Sequence, residues 1–186
     1  MIITVSGLHG TGKSTYAARI ARSLGLRHVS AGVLFRRVAK EKNITLEKLG
    51  KMALHDPSID KLVDDKTITE AGKGNIVIDG QLTGWVLRDK SDLRIYLTAP
   101  KQVRLERIAR RDKVDIKDAK GQTRQRESIQ RERYLKHYGF HVRDLSIYHL
   151  VLDTSLGSID DTANVLITAS QMVKRTAREG TKPTKP

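Results

Sequence analysis

The residues with the clearest chemical purpose lie near the start of the chain, in Gly7-Leu8-His9-Gly10-Thr11-Gly12-Lys13-Ser14. This segment matches the phosphate-binding pattern G-x-x-x-x-G-K-S/T, in which glycines let backbone N–H groups point at a phosphate. We expect Lys13 to reach the β- and γ-phosphates of ATP and the Ser14 hydroxyl to bind Mg²⁺. The predicted nucleotide-binding residues are Gly7, Leu8, His9, Gly10, Thr11, Gly12, Lys13, Ser14 and Thr15.

The surroundings of this segment support a ligand rather than a plain turn. The pattern follows an apolar stretch, residues 2–5, and opens a segment with helical spacing, residues 14–24. That is the strand and helix context that the phosphate loop requires. The alternative, a glycine-rich turn without a ligand, gives no reason for a lysine and a serine at those two places.

A second acidic position follows the apolar run of residues 76–78, where Asp79 precedes Gly80. In open parallel sheets, ligands bind at the carboxyl ends of the strands. A carboxylate there can hold Mg²⁺ through water, so we predict a magnesium site between Ser14 and Asp79. The alternative is an aspartate that only caps the next turn.

Two adjacent arginines, Arg36 and Arg37, lie about one turn into the helix that is predicted after the second short strand. The arginine fork suits a monophosphate dianion. Neighbouring helical side chains point in different directions, so only one of them can serve well, and we assign Arg36. From the residues alone, a solvated basic helix face remains an equal alternative.

A concentration of arginines lies between residues 104 and 143. Phosphoryl transfer is catalysed mainly by positioning and charge stabilisation, so arginines on a closing segment would neutralise the transferring group and exclude water. Helical spacing puts Arg107 on one face with Arg111, and Arg126 on one face with Arg133. We predict that these four residues act in catalysis with Lys13. For any single arginine, an ordinary charged surface is the simpler explanation.

The composition suggests which partners to expect. The 186 residues include 35 Lys and Arg against 21 Asp and Glu, a difference of +14, and no cysteine. A nucleic-acid partner could explain this charge, but one Trp, two Phe and five Tyr offer few rings for stacking on bases. We therefore favour a phosphate-rich site over nucleic acid as the main partner.

Neither a signal peptide nor a membrane span is expected. The first residues lack a basic region followed by an apolar stretch, and no segment approaches the roughly 20 apolar residues of a transmembrane helix. The lack of cysteine fits a reducing compartment. We expect a cytoplasmic protein that makes no membrane contact.

Short apolar runs alternate with helical patterns along the chain. Strands are predicted at 2–5, 28–29, 76–78, 93–97 and 150–152, and helices at 14–24, 33–42, 45–54, 56–70, 100–113, 119–136 and 158–174. Such alternation indicates an α/β fold with a parallel sheet covered on both faces. With the phosphate loop, this predicts a three-layer P-loop NTPase fold with five parallel strands. We expect one domain over residues 1–175 and a basic, disordered tail over 176–186.

These features, in this order, resemble nucleoside monophosphate kinases, and archaeal-type cytidylate kinases most of all. The segments that carry the resemblance besides the loop are residues 29–36, 81–85, 138–139 and 144–148. The resemblance extends over nearly all of the chain up to about residue 174. It implies a core, an acceptor-binding helical segment at about 32–74 and a lid at about 112–138.

The resemblance implies a reaction of Mg-ATP with CMP or dCMP to give ADP and CDP or dCDP. The acceptor-binding residues that it implies are Ser30, Gly32, Arg36, Asp79, Gly80, Gln81, Gly84 and Trp85. The chain departs from the family at Gln81, where many cytidylate kinases have arginine, which leaves the base preference open. Gln81 could bind a base or ribose, and Trp85 could stack on a base or anchor the core.

We expect direct in-line transfer without a covalent enzyme intermediate. No cysteine is present as a nucleophile, and none of the six histidines lies in a base-and-orienter pattern. One alternative is a different acceptor, of the AMP, UMP or shikimate type. Another is an RNA- or ribosome-binding protein that uses ATP as a switch, and a non-enzymatic basic module is a third. We expect a monomer, with a dimer as the alternative.

Overall fold

The structure is a computed structural model and describes residues 1–139, 141 and 144–178. Its strands are β1 (Ile2–Gly7), β2 (Arg27–Ser30), β3 (Ile76–Asp79), β4 (Leu93–Thr98) and β5 (Leu150–Asp153). Its helices are α1 (Lys13–Leu24), α2 (Ala31–Glu41), α3 (Leu46–His55), α4 (Ser58–Gly72), α5 (Thr83–Val86), α6 (Lys101–Asp112), α7 (Ile116–Tyr138) and α8 (Ile159–Arg178).

The strands form one parallel sheet in the order β2-β3-β1-β4-β5. The predicted α/β fold with five parallel strands is therefore confirmed. Asp79, the last residue of β3, is in register with Val5 on one side and Ser30 on the other. The carboxyl ends of the three strands meet at one edge of the sheet, where the loop after β1 also begins.

The sheet has one apolar core, and the helices α2, α3 and α4, here called the acceptor-side helices, have another. The main core packs β1 against α1 and α8 and includes Ile3, Ile20 and Leu166, all fully buried. A second cluster joins α2, α3 and α4 through residues such as Val38 and Leu49. Residues 31–72 thus form a helical layer with packing of its own, which can present side chains to the sheet edge.

The element boundaries differ from the predictions in a few places. α7 begins at Ile116 because the Asp115 carboxylate accepts a hydrogen bond from Asp118 N at 2.7 Å. The predicted capping box of α8 is confirmed by reciprocal hydrogen bonds between Ser158 and Asp161. α8 continues to residue 178, beyond its predicted end at 174, so the first residues of the predicted tail are helical. Residues 179–186 of that tail lie outside the described residues.

One helix was not predicted. α5 has only four residues and is too short for an apolar repeat to show in the sequence. Among the helices that the structure describes, none is both long and apolar enough to cross a membrane.

Candidate active site

The loop after β1 has the backbone shape of a phosphate cradle. Gly10 and Gly12 have φ angles of 80° and 84°, in the left-handed region that favours glycine. A Cβ atom on Gly10 would also lie 2.5 Å from Arg104 O. The loop ends where α1 begins, so the N–H groups of the first helical turn point toward it and favour an anion.

Lys13 lies beneath this loop, with its Nζ donating to Leu8 O at 2.8 Å. Burial lowers the pKa of Lys13 to about 8, and Arg111 and Arg104 add to this shift although Asp79 opposes it. The ammonium is therefore poorly solvated, and it has Arg111 and Arg104 as well as the Asp79 carboxylate for neighbours. A bound polyphosphate would supply the negative charge that this site lacks.

Asp79 is held at the sheet edge by three side chains. Its Oδ2 accepts from Ser14 Oγ at 2.8 Å and from Ser30 Oγ at 3.2 Å, while its Oδ1 lies 2.7 Å from His28 Nε2. The structure therefore brings the two predicted magnesium ligands, Ser14 and Asp79, into contact. A hydroxyl and a carboxylate are oxygen donors of the kind that Mg²⁺ binds alongside nucleotide phosphates.

A cavity of about 230 Å³ runs from this edge into the space between the acceptor-side helices and α7. The predicted site residues on its wall are His9, Lys13, Ser14, Ser30, Gly32, Arg36, Asp79, Gly80, Gln81, Arg111, Arg126 and Arg133. They come from the loop after β1, from the start of α1, from the chain after β2 and β3, and from the helical segments on both sides. The structure thus gathers most of the predicted residues around one space.

Several predicted site residues are not on the cavity wall. Gly7, Leu8, Gly10, Thr11, Gly12 and Thr15 form the loop and the start of α1. Arg107 donates to Thr154 Oγ1 at 2.7 Å and to Thr154 O at 2.8 Å, next to the loop. Its predicted part in catalysis stays a prediction.

Gly84 and Trp85 belong to α5 but do not line the cavity, unlike Thr83 and Val86 of the same helix. Gly84 N donates to Ser6 Oγ at 3.1 Å, and a Cβ atom on Gly84 would lie 2.5 Å from the Tyr148 ring. Trp85 packs against a cluster that includes Tyr96 and Ile147. This geometry favours the core-anchor alternative for Trp85 over stacking on a base.

The predicted catalytic arginines Arg111 and Arg133 differ in what they contact. Arg133 is buried, with Nε 2.9 Å from Asp60 Oδ2 and the guanidinium 5.2 Å from the centre of the Phe35 ring. Arg111 is exposed and pairs with Asp112 at 2.8 Å. Arg133 therefore joins α7 to the acceptor-side helices, whereas Arg111 lies at the open side of the cavity.

Two polar links hold α7 against the phosphate loop. Arg104 donates to His9 O at 2.8 Å and to Glu127 at 2.6 Å, and His9 Nε2 lies 2.9 Å from Gln130 Oε1. Burial, with Lys13 nearby, lowers the pKa of His9 to about 4, so this histidine is neutral at pH 7. α7 is thus positioned by contacts with the loop.

A set of polar residues on the cavity wall was not predicted from the sequence, namely Asp60, Asp64, Thr67, Gln130 and Tyr138. Tyr138 donates to Asp64 Oδ2 at 2.5 Å. Burial raises the pKa of Asp64 to about 6, with Asp60 and Asp65 adding to the shift. The spacing of positions 60, 64 and 67 was a signal that could have been used, because it puts all three on one face of a helix.

Comparison with known proteins gives a consistent result. Residues 2–156 match the cytidylate kinase-like family. The cytidylate kinase of Staphylothermus marinus is 43% identical over 166 residues, covering 89% of this chain and 94% of that protein. The cytidylate kinase of Pyrococcus horikoshii is 46% identical over 155 residues, covering 83% of this chain and 80% of that protein.

Solved structures of more distant proteins share the fold. A shikimate kinase from Bacteroides thetaiotaomicron superposes with a TM-score of 0.65 at 14% identity, covering 92% of this chain and 98% of that one. An uncharacterized protein from Eubacterium ventriosum gives a TM-score of 0.66 at 16% identity, covering 91% and 97%. At these identities the likeness concerns the fold alone.

Proposed function

The chain belongs to the cytidylate kinase-like family, and we propose that it transfers the γ-phosphoryl group of ATP to CMP or dCMP, giving ADP and CDP or dCDP. The observation that carries this proposal is the single cavity that joins Lys13 and Ser14 to the acceptor-side helices. A donor and an acceptor can meet in one such space, which in-line transfer requires.

At the donor end, we propose that residues 7–15 bind the phosphates of ATP. The loop supplies backbone N–H groups, and Lys13 supplies a cation that is short of counter-charge. Ser14 and Asp79, whose Oγ and Oδ2 atoms are 2.8 Å apart, would hold Mg²⁺, which would neutralise charge on the phosphates when bound. His28 and Ser30 keep the Asp79 carboxylate in position through their own contacts with it.

At the acceptor end, the proposed phosphate ligands are Arg36 and Gln81, with Ser30 beside them. Gln81 lines the cavity, and its Nε2 is buried without a hydrogen-bond partner among the described residues. A buried donor of this kind gains from a ligand that accepts its hydrogen bond. Gly32 leaves room for close approach of the acceptor to the backbone. Gly80 instead permits close packing, because a Cβ atom there would lie 2.7 Å from Thr83 Cγ2 and 2.8 Å from Ala31 Cβ.

For the transfer step, Lys13, Arg111 and Arg126 would stabilise the charge of the transferring phosphoryl group. Arg133 would act from a distance by holding α7 to the acceptor-side helices through Asp60. Arg107 would support the loop from behind through Thr154. The acceptor is already anionic at its attacking oxygen, so no strong general base is needed.

We further propose that residues 32–74 act as the mobile acceptor-binding segment and residues 112–138 as the lid, within one kinase domain of residues 1–175. Closure of the lid would keep water from the γ-phosphate. A monomer is proposed because residues of one chain line both ends of the cavity. We propose the cytoplasm as the compartment, since the proposed reaction consumes ATP and a nucleoside monophosphate.

A panel of acceptors with Mg-ATP tests the proposal. We expect kcat/KM to be highest for CMP and dCMP, lower for UMP, and lowest for AMP and shikimate, measured as ADP release. A preference for AMP or shikimate would contradict the choice of acceptor. ADP release without transfer to any acceptor, together with salt-sensitive RNA binding, would contradict the assignment as a kinase of small acceptors.

A further inference from the structure

The end of the cavity away from the phosphate loop is lined by polar residues for which phosphoryl transfer itself gives no role. The distance from the phosphate loop to this end can be measured along α7. Gln130 contacts His9 of the loop, and Tyr138 lies eight residues further along the same helix. Eight helical residues correspond to about 12 Å. The acceptor's phosphate must face the loop, so its base must lie toward Tyr138.

Two carboxylates of α4, Asp60 and Asp64, line this distant end. Asp60 is already in contact with α7, since Arg133 Nε lies 2.9 Å and His137 Nδ1 lies 3.5 Å from its Oδ2. Its role is to pair with α7. Asp60 therefore has little capacity left for a ligand.

Asp64 is in a different situation. One of its oxygens accepts a hydrogen bond from the Tyr138 hydroxyl at 2.5 Å, which fixes the orientation of the carboxylate. An ionised carboxylate can accept about four hydrogen bonds, so Asp64 retains capacity for a donor that enters the cavity. The side chain is half-buried, and a donor from a ligand would restore part of the solvation that burial removes.

Thr67 adds a second acceptor on the same face of α4. Its hydroxyl donates to Val63 O at 2.8 Å, so the oxygen can only accept hydrogen bonds from the cavity. Phe35, Leu46 and Ile129 provide apolar wall nearby, which suits a flat ring. This end of the cavity therefore combines apolar sides with hydrogen-bond acceptors.

We propose that Asp64, held in place by Tyr138, reads the acceptor base by accepting a hydrogen bond from an exocyclic amino group such as N4 of cytosine. Uracil has a carbonyl oxygen at the same place, and two acceptors facing each other repel. Asp64 would thus be a specificity residue and Tyr138 a positioning residue. This inference rests on the proposed function and adds the means by which that site tells CMP from UMP.

The test is the ratio of kcat/KM for CMP to kcat/KM for UMP in wild type and in Asp64→Asn. Asparagine keeps the size of the side chain but offers an N–H donor that uracil can accept. We expect the ratio to fall about 5- to 150-fold, the range for one base-reading contact. The matched control is Asp65→Asn on the exposed side of α4, where Asp65 pairs with Lys61 at 3.0 Å, and it should leave the ratio unchanged.

A purely structural role for Asp64 would reduce activity with both acceptors alike and leave the ratio within about twofold, which would overturn the inference. Tyr138→Phe provides a second variant that keeps the carboxylate. We expect it to lower the ratio by a smaller factor, about 3- to 10-fold, and an unchanged ratio there would remove Tyr138 from the proposal. Thermal unfolding of each variant confirms that it is folded.

The failure of the proposed function looks different in the same experiment. Wild-type protein that phosphorylates neither CMP nor UMP would contradict the proposed function, and the inference would fall with it. Wild-type protein that prefers CMP while Asp64→Asn keeps that preference would contradict the inference alone.

Discussion

The two ends of the cavity are built in different ways. At the loop end, consecutive residues 7–15 supply backbone N–H groups and one lysine, with Asp79 added from the neighbouring strand. At the far end, the wall consists of side chains from α2, α4 and α7, such as Phe35, Asp64 and Tyr138, which are far apart in the chain. On our proposal, the loop end binds the phosphate tail that all nucleoside triphosphates share, whereas the far end distinguishes one acceptor from another.

We therefore expect the loop end to determine the rate of phosphoryl transfer and the far end to determine which acceptor is preferred. Variants at the loop end should slow transfer to every acceptor by the same factor, because all acceptors share the transferring phosphoryl group. Variants at the far end should change the preference among acceptors or the docking of α7.

The largest effect is expected from Lys13→Met. Loss of the cation at the transferring phosphates should reduce kcat/KM about 10³-fold or more, by the same factor with CMP and UMP. Lys101→Met, at the exposed start of α6, is the matched control and should behave as wild type. A change in the ratio of CMP to UMP activity in Lys13→Met would contradict the view that the loop end has no part in the preference among acceptors.

The buried pair of Asp60 and Arg133 should give the next largest effect, in stability. Asp60→Asn leaves the buried Arg133 guanidinium without its counter-ion, so the free energy of unfolding should fall by about 3 kcal/mol. Chemical denaturation measures this change. Asp65→Asn removes an exposed ion pair with Lys61 and should cost less than about 1 kcal/mol. Equal losses in the two variants would contradict the view that Arg133 holds α7 to the acceptor side.

A smaller effect concerns the stability of the ligand-free protein and its dependence on pH. Folding lowers the pKa of Lys13 from 10.5 to about 8 through burial. Below pH 8 both folded and unfolded states carry the charge, and burying it costs stability. Between about pH 8 and 10.5 only the unfolded state binds the proton, so stability rises with pH and the cost disappears.

Lys13→Met removes this buried charge, so the ligand-free variant should be more stable than wild type by about 1–3 kcal/mol below pH 8. The difference should shrink toward zero as the pH approaches 10.5. Denaturation at pH 7 and pH 10 measures it, with Lys101→Met as the control that shows no such trend. A constant difference at both pH values would mean that Lys13 is well solvated in the ligand-free protein.

The loop end could be predicted from the sequence because its chemistry is local. Gly7 to Ser14 form one motif, and its strand and helix follow from apolar runs of the usual length. Asp79 could be added because parallel strands end at a common edge. The order β2-β3-β1-β4-β5 itself came only from the structure.

The far end could not be predicted in the same way. Asp60 and Asp64 occur in a helix with other charged residues, namely Lys61, Asp65 and Lys66. Such a sequence indicates a solvated polar surface. Asp60 is buried and Asp64 half-buried because α7, about 70 residues later in the chain, packs over them. For Trp85, the sequence left base stacking and a core anchor as alternatives, and its packing against a core cluster became visible only in the structure.

The most direct test of the shared cavity is a crystal structure of the protein with Mg²⁺, ADP and CMP. We expect ADP phosphates on residues 7–15 and the CMP phosphate near Arg36 and Gln81. The cytosine amino group should lie within hydrogen-bond distance of Asp64. CMP bound outside this cavity, or with its base turned toward the phosphate loop, would show that donor and acceptor do not share the cavity in the way we propose.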